Sequence, residues 1–99
     1  MPNTERLSIF YASLDAPGPP AGSPVPVMAL WWDYRGDWDQ AHDLINDLPG
    51  PDAAWVHAYL HRKEGDPGNA AWWYRQAGRP VCRTSLREEW EHLVAALAG

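Results

Sequence analysis

The 99-residue sequence predicts one all-α domain, covering residues 1–99 and built from about six short helices. Apolar residues recur at intervals of three and four, which forms one apolar stripe on each helix, and no segment alternates as a strand would. Asp, Ser, Gly and Pro residues, typical of helix starts and stops, separate these segments. The hydrophobic content of 45% is ordinary for a folded domain, so the stripes can share one core.

The first two helices are separated by a connector over residues 15–23 that is rich in proline and glycine. A helix over residues 4–14 is predicted by the apolar positions Leu7, Phe10, Tyr11 and Leu14. After the connector, Ser23 is expected to cap the second helix. Pro24 would take its first position, where the missing N–H of proline costs no hydrogen bond. This helix is expected to stop near Gly36.

Four further helices follow from their capping residues. Asp37, Asp52 and Asp66 are expected to cap the third, fourth and fifth helices, and Ser85 with Glu88 forms a capping box for the last. The expected stops are the Pro49-Gly50-Pro51 segment, Gly65 and Gly78. The expected buried stripes are Trp38, Ala41, Leu44, Ile45 and Leu48; Trp55, Val56, Tyr59 and Leu60; Ala70, Trp73, Tyr74 and Ala77; and Leu86, Trp90, Leu93, Val94 and Leu97.

Two of these helix–helix connections repeat one pattern. Gly36-Asp37-x-x-x-Ala41 and Gly65-Asp66-x-x-x-Ala70 lie 29 residues apart. Glycine permits the left-handed end of the first helix, aspartate caps the second, and alanine allows the two helices to approach closely. Connections this short require the paired helices to run antiparallel. The sequence therefore predicts two helical hairpins, in units of about residues 24–50 and 52–80.

The second copy, Gly65-x-x-x-x-Ala70-x-x-x-Tyr74-x-x-Ala77 followed by Pro80, resembles the second half of a tetratricopeptide-type repeat. That resemblance implies stacked hairpins that bind peptides or proteins, with the N- and C-terminal helices as caps. The spacing of 29 residues is shorter than the 34 typical of that family. The chain also resembles a group of short uncharacterised bacterial proteins that share the segments Leu30-Trp31-Trp32-Asp33, Gly36-Asp37-Trp38 and His57-Ala58-Tyr59-Leu60-His61-Arg62.

Composition and charge argue against several classes of protein. The net charge of −5 disfavours nucleic-acid binding, which requires a basic surface. No apolar run reaches the length that spans a bilayer, so no membrane partner is expected. The N-terminal residues lack the features of a secretory signal, and Cys82 is the only cysteine. A cytoplasmic protein is therefore expected.

His57, His61 and Glu64 are the sharpest candidates for chemistry. Their spacing of four and three residues puts them on one face of the fourth helix. Two imidazoles one turn apart can bind one metal ion, and a carboxylate could add a third ligand. The metalloprotease pattern, however, needs glutamate directly after the first histidine, where this sequence has Ala58. Packed or surface histidines and a polar ligand pocket are the alternatives.

Seven tryptophans in so short a chain predict some exposed aromatic surface. Core packing is one interpretation; the other is an aromatic groove in which an arginine holds a ligand carboxylate. The predicted partner-binding residues are Trp31, Trp32, His57, Tyr59, His61, Arg62, Trp73 and Arg75.

The predicted function is a non-enzymatic module that binds a protein or peptide, with a homodimer as one form of it. No catalytic residue, metal or cofactor is assigned. The alternative is a small-molecule or metal-binding protein that uses His57, His61 and Glu64. A third hypothesis is an enzyme in which the same histidines perform acid–base catalysis.

Overall fold

The computed structural model describes residues 2–99 and confirms the all-α class with about six helices. A short 3₁₀ turn, Ser13–Asp15, follows the first helix, and no strand occurs in residues 2–99. The helices are α1 (Pro2–Ala12), α2 (Val25–Tyr34), α3 (Trp38–Ile45), α4 (Pro51–Lys63), α5 (Pro67–Ala77) and α6 (Leu86–Leu97).

The two glycine–aspartate corners have the same backbone geometry. Gly36 and Gly65 have φ of 84° and 88°, a left-handed conformation that glycine adopts without strain. The carboxylate of Asp37 accepts a hydrogen bond from the Gln40 amide, and that of Asp66 accepts one from Asn69. Each corner therefore ends one helix and caps the next, so that α3 folds back on α2 and α5 on α4.

Two predicted capping residues are wrong. The N-caps of α2 and α4 are Pro24 and Gly50, not Ser23 and Asp52. Pro51 occupies the first position of α4, which puts the cap one residue before it and places Asp52 inside the first turn. The Ser23 hydroxyl instead donates a hydrogen bond to the carbonyl of Pro20, within the connector.

Helix α4 lies at the centre of the fold. Every residue from Ala53 to His61 is buried, and the helix contacts α2, α3, α5 and α6. Tryptophan N–H groups bind carbonyls of neighbouring elements: Trp38 Nε1 donates to Leu60 at 2.9 Å, and Trp90 Nε1 donates to Leu30 at 3.1 Å. These hydrogen bonds satisfy one buried and one half-buried donor that would otherwise destabilise the core.

Helices α6 and α1 cover further parts of the core. α6 packs on α2 and α4, and Phe10 of α1 contacts Trp90 with a ring-centroid distance of 6.0 Å. Trp72 is 46% exposed, which agrees with the expectation that seven tryptophans would leave some aromatic surface in water. Within residues 2–99, none of the helices combines the length and the apolar character that crossing a bilayer would take.

Candidate metal centre

Three histidines from two helices meet beside the α3–α4 contact. His57 and His61 are one turn apart on α4, and His42 lies on α3. The Nε2 atoms of His42 and His57 are 3.1 Å apart, and the rings of His57 and His61 stack with a centroid distance of 4.8 Å. One ring nitrogen from each of the three histidines lies within 4.8 Å of those of the other two.

Aromatic side chains hold this cluster from both sides. Trp38 stacks on His42 with a centroid distance of 4.9 Å, and its indole N–H is anchored on the Leu60 carbonyl of α4. Trp73 of α5 stacks on His57 at 3.8 Å. The two tryptophans restrict the ring orientations of His42 and His57, so the cluster is largely preorganised.

The electrostatics keep the central imidazole neutral. His57 is 3% exposed, and its burial lowers its pKa from 6.5 to about 4, with the nearby His42 and His61 adding to the shift. A neutral imidazole has a free lone pair on one nitrogen, which is the form that binds a metal ion. Near neutral pH the protein therefore does not need to release a proton from His57 to use it as a ligand.

Glu64 contacts the cluster through His61 alone. Its carboxylate lies 2.7 Å from His61 Nδ1, so Nδ1 carries the proton and donates it, and Nε2 keeps its lone pair. Asn69 Nδ2 lies 3.4 Å from that Nε2. A carboxylate on the far nitrogen of a metal-binding histidine is a common arrangement that fixes the ring and strengthens the ligand. In this contact the Glu64 carboxylate orients the ring of His61.

The cluster has dimensions that suit a tetrahedral ion. With zinc–nitrogen bonds of 2.0–2.1 Å, two ligand nitrogens on one tetrahedral zinc ion are about 3.3 Å apart. The Nε2 atoms of His42 and His57 are already 3.1 Å apart, joined by a hydrogen bond in which one of them carries the proton, so that ring would change tautomer when an ion binds. A shift of the His61 ring toward these two atoms would bring all three ring nitrogens to the separation that one ion requires.

A second group, comprising His61, Glu64 and Asp66, fits a metal less well. Both carboxylates belong to exposed residues at the α4–α5 corner. Asp66 already accepts the capping hydrogen bond from the Asn69 amide. The common member of the two groups, His61, donates its Nδ1 proton to Glu64. This group is therefore explained by the helix corner.

The predicted partner-binding aromatic residues differ in their exposure. Trp31 and Tyr59 are buried, with the Trp31 indole donating to the Ser13 carbonyl and the Tyr59 hydroxyl donating to Asp33. Trp32 and Trp73 are half-buried. The first two therefore contribute to the core of the isolated chain, and the last two reach its surface in part.

The two predicted arginines also differ. Arg62 forms an ion pair with the buried carboxylate of Glu89, at 2.9 Å, and donates to the Thr84 carbonyl. Arg75 is exposed in the last turn of α5. Of these two arginines, Arg75 alone can offer its guanidinium to a partner directly. Arg62 would first have to break its contacts with Glu89 and Thr84.

His42 is not among the site residues predicted from the sequence. The structure places it half-buried against His57. A signal was present, because Trp38, His42 and Ile45 lie at i, i+4 and i+7, on the inward stripe of α3. A histidine on an inward stripe indicates a polar contact across the helix interface.

Comparisons with known proteins give no relative from which a role could be transferred: no family model, curated protein or solved structure matches the chain.

Proposed function

We propose that this protein binds a divalent transition-metal ion, with Zn²⁺ the favoured ion, through His42, His57 and His61. The observation that carries the proposal is the convergence of three imidazoles, with two Nε2 atoms at 3.1 Å and the third ring within reach. Imidazole nitrogen is a preferred ligand of zinc, copper and nickel.

The surroundings of the cluster support this function over simple packing. The stacked pair His57 and His61, and His42 edge-on to both, would repel one another when protonated, and burial further penalises the charge on His57. A bound cation would turn the same arrangement into a favourable one, because it uses the three lone pairs that the neutral rings provide.

Zinc titration of the EDTA-treated, dialysed protein tests the proposal. We expect one zinc ion per chain, measured by competition with a chromophoric chelator. At a free zinc concentration about 100 times the Kd, binding should add about 2.7 kcal/mol to the free energy of unfolding. For a domain of this size, that corresponds to a rise in Tm of about 10–20 °C.

The fourth histidine gives a matched control. His92 lies exposed on α6, outside the cluster. His42→Ala, His57→Ala and His61→Ala should each abolish stoichiometric binding, whereas His92→Ala should bind zinc as the wild type does. Zinc binding that survives His42→Ala, or that is equally weakened by His92→Ala, would contradict the proposal.

A protein- or peptide-binding module remains a second candidate, as the sequence predicts. Trp72 favours it: the side chain is 46% exposed and packs edge-on against Trp73 with a centroid distance of 4.7 Å. Both rings line a hollow of about 390 Å³ that also includes Leu48, Pro49 and Ala54. Exposed tryptophan is enriched among residues that dominate binding energy at protein interfaces.

A further inference from the structure

The geometry points to the side-chain oxygen of Asn69 as the fourth ligand of the metal ion. This inference rests on the proposed metal binding and assigns the site a closed, four-coordinate N₃O shell drawn from α3, α4 and α5. Asn69 lies in the first turn of α5, where its backbone amide donates to the capping carboxylate of Asp66. The side chain of Asn69 therefore takes no part in the capping hydrogen bond.

The tautomer of His61 directs the ion toward Asn69. Glu64 holds the Nδ1 proton of His61, so Nε2 is the only nitrogen of that ring with a lone pair for a metal. The Asn69 carboxamide is next to this Nε2 atom, at 3.4 Å. An ion bound to His61 Nε2 would consequently lie close to the end of the Asn69 side chain.

The distance agrees with a shared coordination sphere. Two ligand atoms of one tetrahedral zinc ion are about 3.3 Å apart. The separation of Asn69 from His61 Nε2 is 3.4 Å, and that of His42 Nε2 from His57 Nε2 is 3.1 Å. These two separations therefore have nearly the length required of two opposite edges of the tetrahedron, and in the metal-free protein a hydrogen bond spans each of them.

The amide can present oxygen instead of nitrogen without moving the backbone. In the metal-free protein Nδ2 donates to His61 Nε2. A half-turn about the bond between Cβ and Cγ exchanges Nδ2 and Oδ1 at this position, since the two ends of the carboxamide have nearly the same shape. Asn69 is exposed, so the displaced NH₂ group would hydrogen-bond to water.

Four protein ligands would give the site a structural character. Zinc sites with a complete protein shell contribute to folding stability, whereas sites with three protein ligands keep a water and an open position. His42, the pair on α4 and Asn69 belong to three different helices. Zinc would therefore link the Gly65–Asp66 corner, between α4 and α5, to α3.

Zinc affinity and the Co²⁺ spectrum of Asn69 variants test this assignment. Asn69→Ala should weaken zinc binding by at least about 10- to 100-fold, the loss found when even a group that only orients a ligand is removed. Asn69→Asp keeps an oxygen at the position and adds a negative charge, so it should bind at least as tightly as the wild type. Gln76→Ala, which removes an exposed carboxamide two turns along the same helix, should leave the affinity unchanged.

Azide binding reports whether the bound Co²⁺ ion has a coordination position that no protein ligand fills. The visible spectrum of the Co²⁺-loaded wild type should not respond to azide, because no water is there to be displaced. The spectrum of Co²⁺-loaded Asn69→Ala should respond. The Tm of each variant without metal shows whether the substitution acts on the fold alone.

The outcomes separate the two proposals. A wild type that fails to bind zinc or Co²⁺ overturns the metal function, and the role of Asn69 with it. A wild type that binds zinc as tightly as Asn69→Ala, or whose Co²⁺ spectrum shifts with azide, overturns the assignment of Asn69 alone.

Discussion

Removal of the Glu89 carboxylate is expected to destabilise the fold strongly. Glu89 of α6 is 1% exposed and accepts hydrogen bonds from the Tyr74 hydroxyl at 2.5 Å and from Arg62 at 2.9 Å. Burial and this carboxylate raise the pKa of Tyr74, so the phenol stays protonated and remains a donor. The three side chains join α4, α5 and α6 through one buried anion.

The expected loss in the free energy of unfolding follows from the two groups, Arg62 and Tyr74, that Glu89→Ala leaves without their partner. Loss of one partner of a buried ion pair costs about 3–5 kcal/mol, and a buried hydroxyl without its acceptor costs about 1–3 kcal/mol. The Arg62 side chain is 22% exposed, so water recovers part of its hydration and the lower end of the range applies. We expect a loss of about 3–4 kcal/mol in the free energy of unfolding, against a total of about 5–15 kcal/mol.

Glu91→Ala is the matched control on the same helix. The Glu91 side chain is 46% exposed and lies 3.7 Å from Arg87, which is itself 75% exposed. A surface pair of this kind contributes little, so the expected loss is below about 0.5 kcal/mol. Glu89→Gln keeps one oxygen that can accept from Tyr74, but it loses the charge and places an NH₂ group, which cannot accept, opposite Arg62. Its loss in the free energy of unfolding should therefore lie between those of Glu89→Ala and Glu91→Ala.

Urea unfolding followed by far-UV circular dichroism measures all three variants. A double-mutant cycle with Tyr74→Phe isolates the contribution of the phenol. Tyr74→Phe should be costly in the wild type and nearly neutral once Glu89 is alanine. An equal loss of unfolding free energy in Glu89→Ala and Glu91→Ala would refute the role of the buried carboxylate. The same holds if Tyr74→Phe is equally destabilising in both backgrounds.

Two further predictions concern acid stability and self-association. The pKa of folded His57, about 4, lies below its ordinary value of 6.5, so the unfolded chain binds more protons between these pH values. The free energy of unfolding in EDTA should therefore fall as the pH is lowered from 6.5 towards 4, and His57→Gln should reduce this slope; equal slopes would contradict the argument. If Trp72 is part of a homodimer interface, sedimentation should show self-association that Trp72→Ser abolishes; a wild type that stays monomeric at high concentration would exclude it.

Much of the fold could be predicted because helix formation is encoded locally. Asp37, Asp66 and Ser85 cap helices as expected, each through a hydrogen bond to an amide three residues ahead. The misplaced cap at α4 shows the limit of this information. Pro51 and Asp52 both favour a helix start, and the choice between adjacent positions depends on small energy differences within one turn.

The candidate site could be predicted only in part. His57 and His61 are neighbours by helical periodicity alone, since both lie on one face of α4. Glu64 was named for the same reason, as a possible third ligand. Its contact with His61 Nδ1, at 2.7 Å, depends on the side-chain conformations and does not follow from the helical spacing alone.

The sequence by itself determined the helices, the two glycine–aspartate corners and the histidine pair of α4, because each depends on residues within about one or two turns. Only the tertiary structure decided that His42 meets His57 and that Asn69 approaches His61, although Asn69 is just eight residues from that ring. Both contacts depend on how α3 and α5 pack against α4, which is set by the fit of many side chains at once and not by a local pattern.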